Sequence, residues 1–353
     1  MADLLTPVVP SFEWHPGFRA LLEYAGHGPA RRLIRELYST FVDRDGNFVQ
    51  QFQTGGFDQR TWELFLYALL RDMGAAFDWS NNAPDFVFTF RGVQLAIEAT
   101  TANPAGGGPV AQGPPEARPE VERWRQLEHV YPIRLGSALY SKLKGKYWDL
   151  PQVRGRPFII AIQDFHEPGS LHHTDAALWR YLYAISGTWH FDESGVLIID
   201  EKTTATHENG AKVIPSGFFS LPDAEYISAV MFGNTGTIAK FNRMGFLTGY
   251  SDDTKILMVR SRLCYDHTPN SATPAAFSYM VGHPLAPPET WGQGLSVYHN
   301  PRALLPLPHD LLPLAYHFHD GRRLRSLLPD FHPLWSQTAI FVEKAERLGT
   351  RGV

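Results

Sequence analysis

The clearest pattern in the chain is a pair of short alternating runs. Phe86, Phe88 and Phe90 fall on one face of a predicted strand, with Asp85, Val87 and Thr89 on the other. Val93, Leu95 and Ile97 likewise share a face of the next strand, opposite Gln94, Ala96, Glu98 and Thr100. The turn Arg91-Gly92 joins them as a hairpin. Helical spacing predicts helices over residues 17–24, 29–42 and 58–73, the last N-capped by Asp58 and stopped by Gly74. From Trp62 to Leu70 only Glu63 is not apolar, so that helix is buried on most faces. Glu63 therefore either finds a partner or cation inside, or pairs with Arg60 or Arg71 at the surface.

Further along, helices are expected over residues 133–148, 174–185 and 335–348, and a fully covered strand over residues 157–165. Shorter strands are expected at 75–79, 195–200, 227–232, 256–260, 277–281 and 295–298, with Gly233-Asn234-Thr235-Gly236 as a hairpin connection. Phe48–Gln53 alternates weakly and reads as strand or loop. Residues 101–119, with Gly106-Gly107-Gly108, read as a long loop.

The chain has 353 residues, 44% hydrophobic and 13% aromatic, which supports a substantial core. A net charge of −4 confines any basic surface to local patches. The single cysteine, Cys264, excludes an internal disulfide and a cysteine-based zinc site. No secretion signal and no run of 18 apolar residues is seen, so a soluble cytoplasmic protein is expected.

Chemistry concentrates on the hairpin. Alternation brings Asp85 and Glu98 together on the face away from the phenylalanine row. Two carboxylates at one end of a sheet form a hard-oxygen site. With the Ala99 carbonyl and water they suit Mg²⁺ or Mn²⁺, and Glu63 would add a ligand or position the water.

At these residues the sequence resembles the PD-(D/E)XK, or restriction-endonuclease-like, nucleases. The resemblance rests on Pro84-Asp85, on Glu98-Ala99-Thr100 and on Glu63 in the preceding helix, and spans roughly residues 57–165. It implies an α/β fold with an α-β-β-β-α-β core. It also implies metal-dependent hydrolysis of phosphodiester bonds, with nucleic acid as partner, DNA ahead of RNA. The departure is Thr100, which stands where the family carries a lysine. That lysine orients the attacking water and stabilises transition-state charge. Some members recruit it from elsewhere, and Lys142 on the following helix is the candidate here, ahead of Lys144 and Lys146. Without such a lysine the chain reads as an inactive relative, serving as a nucleic-acid-binding or protein-interaction module. An unrelated α/β protein, with both acids bonded to backbone or arginine, is the third reading.

The organisation expected is an N-terminal helical or irregular segment (1–56), a restriction-endonuclease-like core (57–190) and a β-rich extension packed on it (191–353). The extension would supply substrate contacts or a homodimer surface. Other constellations are weaker. His172-His173 and His317-Phe318-His319 are local pairs without a metal-binding spacing. Asp164 and His166 end a central strand, where they cap a turn or enter a site. Lys240, Asn242 and Arg243, and the cluster Arg322, Arg323 and Arg325, are basic groups that could contact phosphate. Ser216 lacks a nucleophile-elbow context.

Overall fold

A computed structural model describes residues 3–104, 118–167, 170, 175–250, 254–312, 315–320, 324–327 and 329–343. The helices are α1 (Pro16–Glu23), α2 (Gly28–Thr40), α3 (Phe48–Gln53) and α4 (Phe57–Asp72). Later come α5 (Glu120–Arg125), α6 (Tyr131–Lys144), α7 (Asp175–Tyr183) and α8 (Ile238–Leu247). Strands β5 (Ile185–Phe191) and β6 (Leu197–Thr203) form one antiparallel pair, and β7 (Thr206–Asn209) and β8 (Lys212–Pro215) form another. Among the described residues the main sheet has eight strands. In spatial order they are β1 (Ala76–Phe77), β2 (Phe86–Phe90), β3 (Val93–Ala102), β4 (Phe158–Asp164), β9 (Ala229–Gly233), β12 (Leu295–His299), β13 (Tyr316–Asp320) and β14 (Leu324–Leu327). Strands β1, β2 and β3 run antiparallel in turn, β4 is parallel to β3, and β9 is parallel to β4. The protein is thus mixed α/β with a mixed sheet. Among the described residues no helix is long and apolar enough to cross a membrane.

Helices cover the central strands on both faces, which is why β4 is apolar almost throughout. Its Ile159 and Ala161 join Leu95 and Ile97 under α2 and α4, while Phe158, Ile160 and Ile162 join Val87 and Ala96 under α6 and α7. The phenylalanine row of β2 belongs to the first of these layers, as alternation predicts. The α6 stripe of Leu135, Leu139 and Leu143 belongs to the second.

Several expectations are corrected. Phe48–Gln53 is a helix, because Phe48 and Phe52, four apart, both bury against the N-terminal layer. Gly56, not Asp58, caps α4, and Asp58 lies inside its first turn. The turn at Gly233–Gly236 leads into α8 rather than back along a hairpin. Its glycines are needed for close packing: a Cβ on Gly236 would lie 2.7 Å from the Trp62 ring and 2.4 Å from Gln163 Oε1. Residues 333–342 form strand β15, not a helix. They pair with β10 (Ile256–Cys264), and their Thr, Ile and Val content suits a strand. Residues 344–348 of that expected helix lie outside the described residues, as do residues 105–117, His172, His173, Arg322 and Arg323. The boundary drawn at residue 190 does not divide the sheet, since β9, β12 and β13 continue the one that contains β2–β4.

Strands β10 and β15, with β11 (Ala275–Met280), form a second sheet. Its junction with α8 is ionic. The Glu289 carboxylate meets Lys240 at 2.7 Å, Arg243 and Arg262 each at 3.2 Å, and Arg260. Lys240 and Arg243 therefore face inward from a helix onto Glu289 rather than outward to phosphate. Burial lowers Lys240 to about 7, while the surrounding cations hold Glu289 well below the usual range against the effect of its burial. Removing the carboxylate leaves four buried cations facing one another. Glu289→Gln is expected to lose about 3–5 kcal/mol in stability, read from the midpoint of denaturant unfolding at constant slope.

Candidate active site

Asp85 stands just before β2, where the β2–β3 ladder ends at Phe86 opposite Ile97. Here β3 continues to Ala102 beside β4 alone, with Glu98 opposite Ile160 and Thr100 opposite Ile162. Its other edge has lost its strand partner, and the acids take over the hydrogen bonding. The Ala99 amide donates to Asp85 Oδ2 at 2.7 Å, and the Asp85 amide donates to Glu98 Oε2 at 3.2 Å. This reciprocal exchange fixes both carboxylates against the strand ends.

Two helices bring the remaining groups. From α6, Lys142 Nζ donates to Glu98 Oε1 at 2.6 Å and lies 5.9 Å from the centre of the Tyr147 ring. Lys142 thus follows Leu139 by three positions and flanks the stripe that seats α6 on β3 and β4. Lys144 is instead over Tyr140, and Lys146 pairs with Asp223. From α4, on the opposite face, Glu63 is 4% exposed and pairs with Arg60. Both sequence alternatives for Glu63 hold in part, since it is buried and has Arg60 as its partner. Gln59, one turn earlier, donates to Glu63 at 2.8 Å and to the Ala99 carbonyl at 3.4 Å, and accepts from Thr101 at 3.2 Å. It ties α4 to the end of β3.

The centre is electrostatically loaded. Burial, then the charges of Glu63 and Glu98, raise Asp85 well above the usual carboxylate range, although the Ala99 amide and Lys142 oppose this. Burial also raises Glu63, with Arg60 in opposition. Tyr147 is raised by burial and then by the neighbouring Glu98. Three crowded carboxylates with one ammonium and one guanidinium favour a cation between them. Among the described residues no three His, Cys, Asp or Glu side chains close on one point as a ready cage. A hydrated Mg²⁺ or Mn²⁺ needs less: one or two carboxylates, here Asp85 and Glu98, with the Ala99 carbonyl and water.

A small cleft of about 30 Å³ opens beside these groups, lined by Glu63, Asp85, Arg44, Arg60 and Asn82 among others. Arg44 donates to the carbonyls of Pro84 at 3.2 Å and Asp85 at 2.8 Å, and so holds the approach to β2. The sequence reading missed Arg44 and Gln59. Gln59 carried a signal, since it precedes Glu63 by one helical turn, whereas Arg44 lies in a loop with no such spacing.

Thr100 is buried on the Glu98 face and supplies no cation. Asp164 and His166 form a local cap, with Nδ1 2.6 Å from Oδ1 and the His166 amide donating to the same oxygen at 3.0 Å. His317 is buried against His299 at 2.9 Å. Comparison with protein-family models, with curated proteins and with solved structures finds no match to this chain. What defines the molecule is its own geometry: a mixed α/β protein with a buried carboxylate–lysine centre at a sheet end.

The raised Asp85 gives a pH dependence of definite sign. A carboxyl group that is harder to ionise when folded lowers stability progressively as pH rises from its unfolded value toward its folded one. Asp85→Asn is expected to melt higher than the wild type at pH 7, with the difference shrinking as pH falls toward about 4. Thermal melts of both proteins across that range measure it.

Proposed function

We propose that the chain is a metal-dependent nuclease with a restriction-endonuclease-like core, hydrolysing phosphodiester bonds in nucleic acid, DNA ahead of RNA. The observation that carries this reading is the approach of Lys142 to Glu98 at 2.6 Å, beside Asp85. It meets the need created by Thr100, since an ammonium stands at the carboxylate pair although the strand itself offers none. Apart from the short α5 that precedes α6, the order α4, β1, β2, β3, α6, β4, with β4 parallel to β3, also fits the α-β-β-β-α-β core expected of such nucleases.

In this reading Asp85, Glu98 and the Ala99 carbonyl would hold Mg²⁺ or Mn²⁺, and Glu63 would add a ligand or position the water. When bound, the ion supplies Lewis acidity toward the phosphate and a lowered pKa for water. The chain's own groups do the rest. Lys142 holds positive charge where negative charge grows on the phosphate oxygens. Gln59 and the reciprocal Asp85–Glu98 bonds keep the carboxylates in register, so little reorganisation is needed at the reacting centre. Arg44 and Arg60, at the cleft, are suited to backbone phosphate. A larger cavity of about 730 Å³ runs along α6, lined by Tyr140, Lys144, Lys146 and Lys212, and offers further phosphate and stacking contacts.

The inactive alternative keeps one specific support. Glu98 spends both oxygens on Lys142 and the Asp85 amide, as a purely structural pair would. Nuclease assays on single- and double-stranded DNA and RNA with Mg²⁺ or Mn²⁺ separate the two. Asp85→Ala and Glu98→Ala are each expected to lower the rate at least about 100-fold, and Lys142→Ala comparably. Thr100→Lys in the Lys142→Ala background is expected to recover part of the loss. Equal rates for wild type and the two acid variants would end the catalytic reading.

A further inference from the structure

Far from the acids in the sequence, Arg180 on α7 is a buried cation with no ion-pair partner among the described residues. It is 6% exposed, and its Nε and Nη1 make no hydrogen bond. Its guanidinium carbon lies 5.5 Å from the ring centres of both Trp124 and Trp179. Burial lowers its pKa, with the charge of Glu128 in partial opposition. The contrast with Arg260 and Arg262 is instructive, since those buried guanidinium groups share the Glu289 carboxylate.

Arg180 is not sealed in. It lines a cavity of about 340 Å³ whose other walls include Trp189, Leu197, Ile199, Tyr265 and Pro274. Trp189 is 55% exposed. Asp266 also lines the cavity, but it is exposed and accepts from the Thr268 amide at 2.9 Å within its own loop. The chamber therefore combines an apolar, aromatic lining with one charged group bearing unused donors. An isolated buried cation is destabilising by itself, and an anion accepting its hydrogen bonds offsets this. The volume falls at the lower end for small-molecule sites, and sites of that kind pair an apolar lining with few polar anchors.

We propose that this cavity binds a small molecule with a flat aromatic body and one anionic oxygen group, carboxylate or phosphate. The oxygen accepts from Arg180 and the ring lies against the aromatic wall. The site is separate from the carboxylate–lysine centre and does not rest on the nuclease reading.

Calorimetric titration in EDTA tests it, with 5′-AMP and indole-3-acetate as probes and adenosine and indole as their uncharged counterparts. One anionic probe is expected to bind at one per chain, at least tenfold tighter than its counterpart. Which one binds separates phosphate from carboxylate. Arg180→Met is expected to weaken that probe at least tenfold without lowering the melting temperature, because it removes an unpaired charge. Trp189→Ala, at an exposed position, is expected to weaken it too, and Asp85→Asn to leave it unchanged. Three results would each overturn the proposal: no binding of either anionic probe, binding insensitive to both Arg180→Met and Trp189→Ala, or binding abolished by Asp85→Asn. A lower melting temperature for Arg180→Met would do so as well, by assigning the side chain a structural role.

Discussion

Everything at the candidate centre depends on a strand that outruns its neighbour. Strand β3 continues past the end of β2, and its exposed edge must find other hydrogen-bond partners. The Asp85 carboxylate accepts from the Ala99 amide of β3, and the Glu98 carboxylate accepts from the Asp85 amide. The same bonds that close the ladder therefore place two carboxylates side by side in a low-dielectric setting. Burial there, and then the charges of Glu63 and Glu98, raise Asp85, with Lys142 beside the pair in opposition. Bringing these charges together out of water costs stability.

The sheet supports this arrangement from both sides. The nearly all-apolar α4 presses one face and carries Glu63 and Gln59 to the strand end, while the leucine stripe of α6 presses the other and carries Lys142. Neither helix is free to shift without disturbing its own core layer, so the charged groups inherit the rigidity of the packing. The protein also contains a contrasting solution to burying charge. Around Glu289 four cations share one carboxylate and bind the second sheet to α8. Among the described residues Arg180 has no such carboxylate, and an aromatic cavity lies beside it.

Much of this was legible in the residues. The hairpin, its two faces, the buried α4 and the central β4 follow from alternation and helical spacing, because both report directly on which side chains avoid water. The misplaced acids were visible for the same reason. Where periodicity was ambiguous it misled. Residues 335–348 read as a helix, yet the described part is a strand because the long edge of β10 pairs with it. Phe48–Gln53 alternates only weakly and is helical because Phe48 and Phe52 fill one core. The glycines at 233 and 236 looked like turn formers, and their real constraint is the bulk of Trp62.

By itself the sequence determined the layers, the two acids and the absence of a lysine at Thr100, since each is a property of local order and spacing. Tertiary structure decided what stands around them. Lys142 reaches Glu98 across 44 positions of chain, and Arg60, not Arg71, pairs with Glu63. Arg44 enters from a loop, and Arg180 is left without a carboxylate partner among the described residues. Local pattern fixes which face a side chain takes, but charge pairing depends on distances of a few ångströms between segments, and only the packed chain sets those.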